Sequence, residues 1–423
     1  MAGLFQIVRR LVGYMKIQRI FTMHPDKRLV MSLLLVMLSA CTALPRNPVP
    51  VEDIRQAEIP GMPAVRAWAG QFDPDFQADL ELSVQQEVPG TFPLHDDGYP
   101  IYHALALSGG GSSGAFGAGI LNGWSAAGTR PDFKIVTGIS TGALIAPFAF
   151  LGPGYDEQLK TVYTTTQTQD ILERLNLFRI LFQGEAFART TPLKNLIKTH
   201  FDTGFLAAVA AAHNQGRRLY VGTTHMDAQM LVVWNMGVIA NSKHPDSLAL
   251  FRKVILASSS IPAAFPPVFI EVELDGRRYD EMHTDGGTVT QVFFSEGMVD
   301  LGTTARAAGR MQRDGYLGTL YVIRNGRLGP EPDQVRRRLP EISGRAISTM
   351  IKYAGINDLY RLKVATNTAS LGFRYVAIPD DFESQADEMF DPREMTRLYK
   401  LGYEKGLDGT AWQDTPPRYQ TSW

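Results

Sequence analysis

Short apolar runs that end at glycines stand out early in the chain. Residues 102–107 are mostly apolar and lead into Gly109, and residues 133–136 lead into Gly138. Runs of this kind are typical of buried parallel strands. Between them, apolar side chains at near-helical spacing predict a helix over residues 115–126, with Gly128 at its end. The pattern therefore predicts a βαβ unit, in which both glycine loops follow the carboxyl ends of neighbouring strands.

Further along, the pattern predicts more strands and two more helices. Residues 268–274 and 277–284 flank Asp275-Gly276, a two-residue turn sequence that predicts a β-hairpin. Helical spacing of apolar residues predicts one helix over residues 171–182, as core or as part of an acyl pocket, and another after Asp391. Residues 53–97 show no clear period, so we expect only partial order there. Other apolar runs predict strands at residues 219–224, 230–234, 319–323 and 373–378.

The N-terminus has the pattern of an export signal. Lys27 and Arg28 precede an apolar run at residues 29–38, which is short for a membrane span and suits the core of a signal peptide. The run ends in Leu38-Ser39-Ala40-Cys41, which resembles the bacterial lipobox, whose cysteine is diacylated and becomes the mature N-terminus. We therefore expect a signal peptide over residues 1–40 and lipidation of Cys41. Because residues 1–22 precede a complete signal, translation from Met23 is an open alternative.

Composition is that of an ordinary globular protein and excludes some classes of function. Of 423 residues, 44% are apolar and 20% are charged, and the net charge is −1. This balance provides no basic field for nucleic acid. Cys41 is the only cysteine, so an intramolecular disulfide is excluded. The histidines and acidic residues do not have the spacing of a metal site, and we expect neither a metal nor a cofactor.

Two glycine-framed loops carry the candidate chemistry. In Gly138-Ile139-Ser140-Thr141-Gly142, small flanking residues permit the tight strand-to-helix turn that exposes a nucleophilic serine. The earlier loop, residues 109–114, also matches a dinucleotide-binding fingerprint. The acidic residue that such a site requires at the end of the second strand is missing, however. Together the loops predict a serine acyl hydrolase with Ser140 as nucleophile. The earlier loop would offer main-chain N–H groups to an oxyanion, through Gly109, Gly110, Gly111 and Gly114.

The base that activates Ser140 has two candidates. Asp285-Gly286-Gly287 follows the predicted hairpin, where the glycines allow a sharp exit from the strand and close backbone approach. The same three residues are also an ordinary end to a hairpin. Chain order alone permits a triad of Ser140, Asp246 and His283 instead, in the order found in α/β-hydrolases.

Taken together, these motifs resemble those of the patatin-like phospholipases, over roughly residues 102–287. The glycine loop, the Gly-x-Ser-x-Gly elbow at Ser140 and the Asp-Gly-Gly motif at Asp285 occur in the family's order, and residues 257–268 are also family-like. The resemblance implies a three-layer α/β/α fold with a mostly parallel central sheet. It also implies a Ser140–Asp285 dyad that works without histidine. Family members often carry Arg or Lys just before the last glycine of the loop, where this chain has Ser113.

These observations favour one interpretation of the whole chain over two alternatives. We expect a lipoprotein of the cell envelope that cleaves fatty-acyl esters of phospholipids or lysophospholipids, with membrane lipids as both substrate and anchor. Thr42 after the cysteine favours sorting to the outer membrane. The alternatives are a non-catalytic lipoprotein that binds lipid or a protein partner, and a histidine-dependent esterase. The expected segments are a signal peptide (1–40), a tether and N-terminal extension (41–100), a catalytic core (101–300), a C-terminal extension of the same domain (301–414) and a loose tail (415–423).

Overall fold

A computed structural model of the protein describes residues 45–96, 98–174, 186, 188–301 and 318–417. The expected signal peptide, Cys41, residues 175–185 and the end of the expected tail lie outside these ranges. The chain divides into two compact units, and the unit formed by Asn47–Asn176 and Glu185–Trp423 contains all the elements below. The other unit, Met1–Arg46 and Leu177–Gly184, lies almost entirely outside the described residues. None of the described helices is both long enough and apolar enough to span a bilayer.

Nine strands of the described chain form one sheet. They are β1 (Arg66–Trp68), β2 (His103–Leu107), β3 (Phe133–Gly138), β4 (Arg218–His225), β5 (Met230–Asn235), β6 (Val268–Leu274), β7 (Arg277–Asp285), β8 (Thr319–Arg327) and β9 (Gly372–Ile378). Strands β4, β3, β2, β8 and β9 are parallel neighbours in that order. Strand β5 pairs antiparallel with β4, β1 pairs with β5, and the hairpin β6–β7 also joins β4. The sheet is therefore mostly parallel at its centre, as the sequence predicted.

Helices cover both faces of this sheet. Alternate residues of a strand point to opposite faces, and in β2 Leu105 belongs to one hydrophobic core and Ala104 to the other. The second core also contains Phe76 of helix α1 (Pro74–Gln85) and Leu359 of helix α10 (Leu339–Thr368), while most of the other helices pack into the first. This arrangement confirms the three-layer α/β/α fold. The helices are α1 (Pro74–Gln85), α2 (Gly114–Ala126), α3 (Thr141–Leu151), α4 (Asp156–Thr165), α5 (Thr168–Ile171), α6 (Thr191–His200), α7 (Thr203–Asn214), α8 (Met236–Asn241), α9 (Ser247–Ser258), α10 (Leu339–Thr368) and α11 (Pro392–Asp408).

The segment before β2 is more ordered than its sequence indicated. Helix α1 begins after Asp73, whose carboxylate accepts hydrogen bonds from the N–H groups of Asp75 and Phe76 at 3.0 Å each. Pro74 occupies the first helical position, where a missing N–H is tolerated. Strand β1 extends the edge of the sheet beside β5. The expectation of partial order was wrong here, because a capped helix and an edge strand bury the segment in the sheet.

Two other local predictions had different outcomes. The hairpin is confirmed, and Asp275 (φ 50°) and Gly276 (φ 72°) both adopt the left-handed backbone that a tight two-residue turn requires. The helix expected over residues 171–182 is wrong at its start, because α5 ends at Ile171. Residues Glu173–Arg174 instead pair antiparallel with Ala188–Arg189.

Candidate active site

One edge of β4 brings two distant parts of the chain together. Strand β3 pairs with the first half of β4 and ends at Gly138. Further along the same edge, Thr223 of β4 pairs with Asp285, the last residue of β7. Because Ser140 follows β3 directly, the register of the sheet places the serine of the elbow beside Asp285. The two glycine-flanked motifs predicted from the sequence therefore meet in one site.

Ser140 occupies a strained turn between β3 and α3. Its backbone has φ 56° and ψ −125°, a conformation that residues with a side chain rarely adopt. The Ser140 N–H donates to Ser258 Oγ at 3.0 Å, and this hydroxyl donates to the Gly222 carbonyl at 2.7 Å. Helix α3 begins at Thr141, so its positive end lies at the serine. This is the geometry of a nucleophile elbow.

The elbow requires its glycines because backbones cross closely there. A Cβ atom on Gly138 would lie 2.4 Å from the carbonyl oxygen of Gly142. A Cβ atom on Gly142 would lie 2.3 Å from the carbonyl oxygen of Leu107. Neither approach leaves room for a side chain. Gly286 is equally confined, since its Cβ would lie 2.6 Å from the Gly222 carbonyl oxygen.

Asp285 is a buried carboxyl group with unused hydrogen-bonding capacity. Its Oδ1 accepts from the Gly287 N–H at 2.7 Å, whereas its Oδ2 has no hydrogen-bond partner among the described residues. Asp285 and Ser140 are only 4% and 6% exposed. Burial raises the pKa of Asp285 to about 7, against the opposing effects of the Ser140 hydroxyl and the Gly287 N–H. A carboxyl group with this pKa is matched to proton transfer near neutral pH.

The glycine loop lies against the elbow. A Cβ atom on Gly109 would lie 3.3 Å from Ser140 Cβ and 3.9 Å from Ser140 Oγ. The Gly109 N–H donates to the Gln291 carbonyl at 3.0 Å, so it is not available to an oxyanion. The Gly114 N–H is also used, within the loop. Two of the four predicted donors are therefore already engaged in fixing the loop.

Gly110 and Gly111 remain as candidate oxyanion donors. Within the part of the chain that the structure describes, neither N–H donates a hydrogen bond. A Cβ atom on Gly110 would lie 2.0 Å from the carbonyl oxygen of Asn325, so this glycine permits close packing against β8. Free N–H groups next to a candidate nucleophile are what an oxyanion hole requires.

Strand β8 supplies residues that the sequence analysis did not identify. Arg324 is buried, and its Nη1 donates to Ser108 Oγ at 3.1 Å and to the Gly109 carbonyl at 3.0 Å. Asn325 donates to the same serine, from its N–H to Oγ at 2.8 Å and from Nδ2 to the carbonyl at 2.9 Å. Together they fix the glycine loop from behind. The polar residues directly after the apolar run 319–323 could have marked this position as functional in the sequence. The pairing of β8 with β2, which brings them to the glycine loop, could not be predicted from the sequence.

His283 is engaged in a different network from Ser140. Its Nδ1 lies 2.9 Å from Thr223 Oγ1, and its Nε2 lies 3.2 Å from Glu281 Oε2. Burial lowers the pKa of His283 to about 4. Asp246 is exposed, and its N–H donates to His244 Nδ1 at 3.2 Å. The structure therefore does not assemble the triad that chain order permitted.

The same network contains a cluster that the sequence spacing did not indicate. Ligand-type atoms of His225, Glu281 and His283 lie within 4.8 Å of one another. The Glu281 carboxylate is paired with the Arg66 guanidinium, which lowers the pKa of Glu281. The Ala228 N–H donates to His225 Nδ1 at 3.1 Å, so a neutral His225 carries its proton on Nε2. A guanidinium and a protonated Nε2 fit a buried ion-pair network rather than a metal site.

Comparison with known proteins assigns the core of the chain to a family. Residues 105–296 match the family model for patatin-like phospholipases. Among solved structures, VipD from Legionella pneumophila is similar at 13% identity and a TM-score of 0.38, over 76% of this chain and 70% of VipD. ExoU from Pseudomonas aeruginosa, solved in complex with SpcU, is similar at 15% identity and a TM-score of 0.32, over 74% of this chain and 54% of ExoU.

The chain thus spans about half the length of ExoU. No curated protein matches the sequence. The glycine loop, the elbow and Asp285 all fall within the matched residues 105–296. The chain therefore contains a patatin-like phospholipase domain over residues 105–296.

Proposed function

We propose that this domain hydrolyses fatty-acyl esters of phospholipids or lysophospholipids through a Ser140–Asp285 dyad and an acyl-enzyme. One observation carries the proposal. The strained elbow holds Ser140 beside a buried carboxyl group whose pKa is about 7. No histidine ring nitrogen among the described residues makes a hydrogen bond to either group.

The reaction follows from these positions. Asp285 takes the proton from Ser140 Oγ as this oxygen attacks the acyl carbonyl carbon. The carbonyl oxygen becomes negative and accepts from the N–H groups of Gly110 and Gly111. Protonated Asp285 then gives its proton to the leaving alcohol oxygen, and the C–O bond breaks. In the second half, Asp285 takes a proton from water as the water oxygen attacks the acyl carbon. Protonated Asp285 then gives this proton to Ser140 Oγ as the acyl C–O bond breaks, which releases the fatty acid and restores both residues.

Release of fatty acid by the purified protein tests this proposal. The substrates are vesicles of phospholipids and lysophospholipids that differ in headgroup and acyl length, with free fatty acid measured by mass spectrometry. Release that stops when Ser140 is replaced supports the proposal. Failure to cleave every lipid, together with failure to cleave a short soluble ester, would contradict it.

Arg324 supplies a cation where the glycine loop itself has none. It binds the Gly109 carbonyl, and the peptide unit of this carbonyl also carries the Gly110 N–H. Hydrogen bonding at the carbonyl polarises a peptide and makes its N–H a better donor. Burial lowers the pKa of Arg324 to about 10, so the guanidinium stays charged at neutral pH. Arg324 is therefore a positioning residue. It supplies positive charge to a glycine loop in which Ser113 stands where family members often carry Arg or Lys.

Replacing Arg324 should lower kcat more than it raises KM. We expect Arg324→Met to lower kcat on a soluble ester roughly tenfold, less than the loss of a direct oxyanion donor. Arg324→Lys keeps a cation near the Gly109 carbonyl and should retain more of the activity. Steady-state kinetics on folded variants, checked by thermal melting, separates this role from simple destabilisation. Equal kcat in both variants and the wild type would contradict the role.

The proposal includes export and lipid anchoring through Cys41, which rest on the sequence pattern of residues 27–41. Two acyl chains on one cysteine are the number usually needed for stable membrane attachment. We expect a fatty-acid probe fed to expressing bacteria to label the wild type, and we expect the label to disappear in Cys41→Ala. The Cys41→Ala variant should also leave the membrane fraction in part. Unchanged labelling of this variant would contradict lipidation at Cys41.

A further inference from the structure

The first half of α10 presents an apolar surface to solvent. The buried residues of this 30-residue helix begin only at Gly355. At 3.6 residues per turn, four of the apolar side chains before it fall within an arc of about 80°. Large apolar groups that are exposed together usually mark a binding surface. This apolar stripe consists of Leu339, Ile342, Ile347, Met350 and Tyr353, which are between 51% and 78% exposed.

Positive charge accompanies the stripe. Between residues 336 and 354 the only acidic residue is Glu341. The chain as a whole has a net charge of −1, so this segment concentrates positive charge that the rest of the protein balances. A helix with an apolar face and flanking Lys and Arg residues has the composition of an interfacial membrane helix. The flanking cations are Arg336, Arg337, Arg338, Arg345 and Lys352.

A cation-lined cavity is bounded by part of this surface and by Arg324 behind the glycine loop. The cavity has a volume of about 450 Å³, and its lining includes Tyr353 of the stripe and Arg324 behind the glycine loop. Arg327, Arg345 and Lys352 also line it, and Glu331 is the only acidic residue among the described residues of its lining. Arg327 and Lys352 share that carboxylate at 2.8 Å and 2.5 Å. The cavity therefore keeps an excess of positive charge, which suits an anionic headgroup.

Helix α10 also fixes the stripe relative to the site. Asp358 Oδ2 in its second half accepts from the Gln291 N–H at 2.7 Å and from the Val292 N–H at 3.2 Å. The Gln291 carbonyl in turn accepts from the Gly109 N–H at 3.0 Å. Met350 lies about 12 Å from Asp358 along the helix axis, at 1.5 Å per residue. One continuous helix thus links the exposed surface to the residue that holds the glycine loop.

We propose that the apolar stripe and its flanking cations dock on a membrane surface rich in anionic phospholipid. The apolar side chains enter the headgroup region while the cations contact lipid phosphates. A nucleic acid would use the cations but not the stripe, and a second copy would bring the same five cations together. The purpose of docking rests on the proposed phospholipase function, since it would bring the site to its substrate.

A position-specific fluorescent label tests docking directly. Cys41 is the only cysteine, so the full chain with Cys41→Ala accepts one label at an introduced cysteine. We expect an environment-sensitive dye on Met350→Cys to brighten and shift to the blue with phosphatidylglycerol-containing vesicles and not with phosphatidylcholine alone. The same dye on Leu407→Cys should not respond, because Leu407 is 48% exposed in α11, whose buried residues belong to the core on the other face of the sheet. No response at position 350, equal responses at both positions, or a response to protein concentration without lipid would overturn the proposal.

Activity on two substrates separates docking from catalysis. Leu339→Glu with Met350→Glu should lower hydrolysis of anionic vesicles at least about tenfold and leave hydrolysis of a short soluble ester unchanged. Arg337→Glu with Arg338→Glu should act similarly and with a weaker dependence on salt. Leu407→Glu, at an exposed apolar residue of α11, is the matched control. Inactivity of the wild type on both substrates would count against the proposed function, and the dye experiment would still test docking in that case. Equal activity of all variants on anionic vesicles would overturn docking.

Discussion

Ser140→Ala should abolish turnover of lipid esters while leaving the fold intact. The substitution removes the attacking oxygen but keeps the backbone of the elbow, where the Ser140 N–H still binds Ser258 Oγ. In a serine protease, loss of the nucleophile lowers kcat by roughly 10⁶-fold, and we expect at least about a 10⁴-fold loss here. Fatty-acid release and covalent labelling by a fluorophosphonate probe measure the effect independently.

A serine outside the site provides the control. Ser125 in α2 donates to the carbonyl of Leu121, and Ser125→Ala should retain both activity and labelling. Thermal melting should show that Ser140→Ala unfolds no earlier than this control. Fluorophosphonate labelling that persists in Ser140→Ala, or ester hydrolysis at the control's rate, would mean that another residue is the nucleophile.

The features predicted well from the sequence are those that local chemistry determines. The elbow needs small residues at positions 138 and 142 because main-chain atoms approach within 2.4 Å of where their Cβ atoms would lie. The turn at Asp275 needs two residues that tolerate positive φ. Apolar runs ending in such glycines predicted the parallel strands, because a buried strand is apolar on both faces. Each of these signals is contained within a few neighbouring residues.

The features that were missed depend on which distant segments become neighbours. The role of Arg324 follows from the pairing of β8 with β2, and that of Gln291 from its contact with Gly109. The sequence gives the glycine loop four similar N–H groups, and only the tertiary structure shows that the Gly109 and Gly114 groups are already used. The order of residues 66–85 likewise depends on an edge of β5 that their own sequence does not reveal.

The site also combines several arrangements that do not favour stability. Ser140 has a strained backbone, and Asp285 is a buried carboxyl group with one unpaired oxygen. Such features persist only where the surrounding structure over-determines them, and they concentrate at functional sites. Here the surrounding support comes from Ser258, from Arg324 and from Asp358 of α10, all of which hold backbone groups of the site or its loops. This support makes a general-base role for Asp285 physically reasonable.

Asp285→Asn should remove nearly all activity, and the wild type should lose activity as the pH falls through about 7. Only the ionised carboxylate can accept the Ser140 proton, and burial raises the pKa of Asp285 to about 7. The value of kcat/KM should therefore rise with pH and level off above about 8. Loss of a general base lowers activity by roughly 10² to 10⁴-fold, so the Asn variant should fall at least in that range. Both are measured on a soluble ester whose own hydrolysis is subtracted.

Thermal stability supplies the control for this prediction, because Asp285→Asn should lower activity but should not lower stability. Burial raises the folded-state pKa of Asp285 above the ordinary aspartate value of 3.8, so the folded protein binds this proton more tightly than the unfolded chain. The carboxyl group therefore lowers stability progressively as the pH rises from about 4 to 7, by roughly 4 kcal/mol in total. Asp285→Asn removes this penalty, so it should melt at or above the wild-type temperature at pH 8 and show no such advantage at pH 4. Asp246→Asn, at an exposed carboxylate, should change neither activity nor melting. An active Asp285→Asn variant, or a pH profile that does not change near 7, would show that Asp285 is not the base.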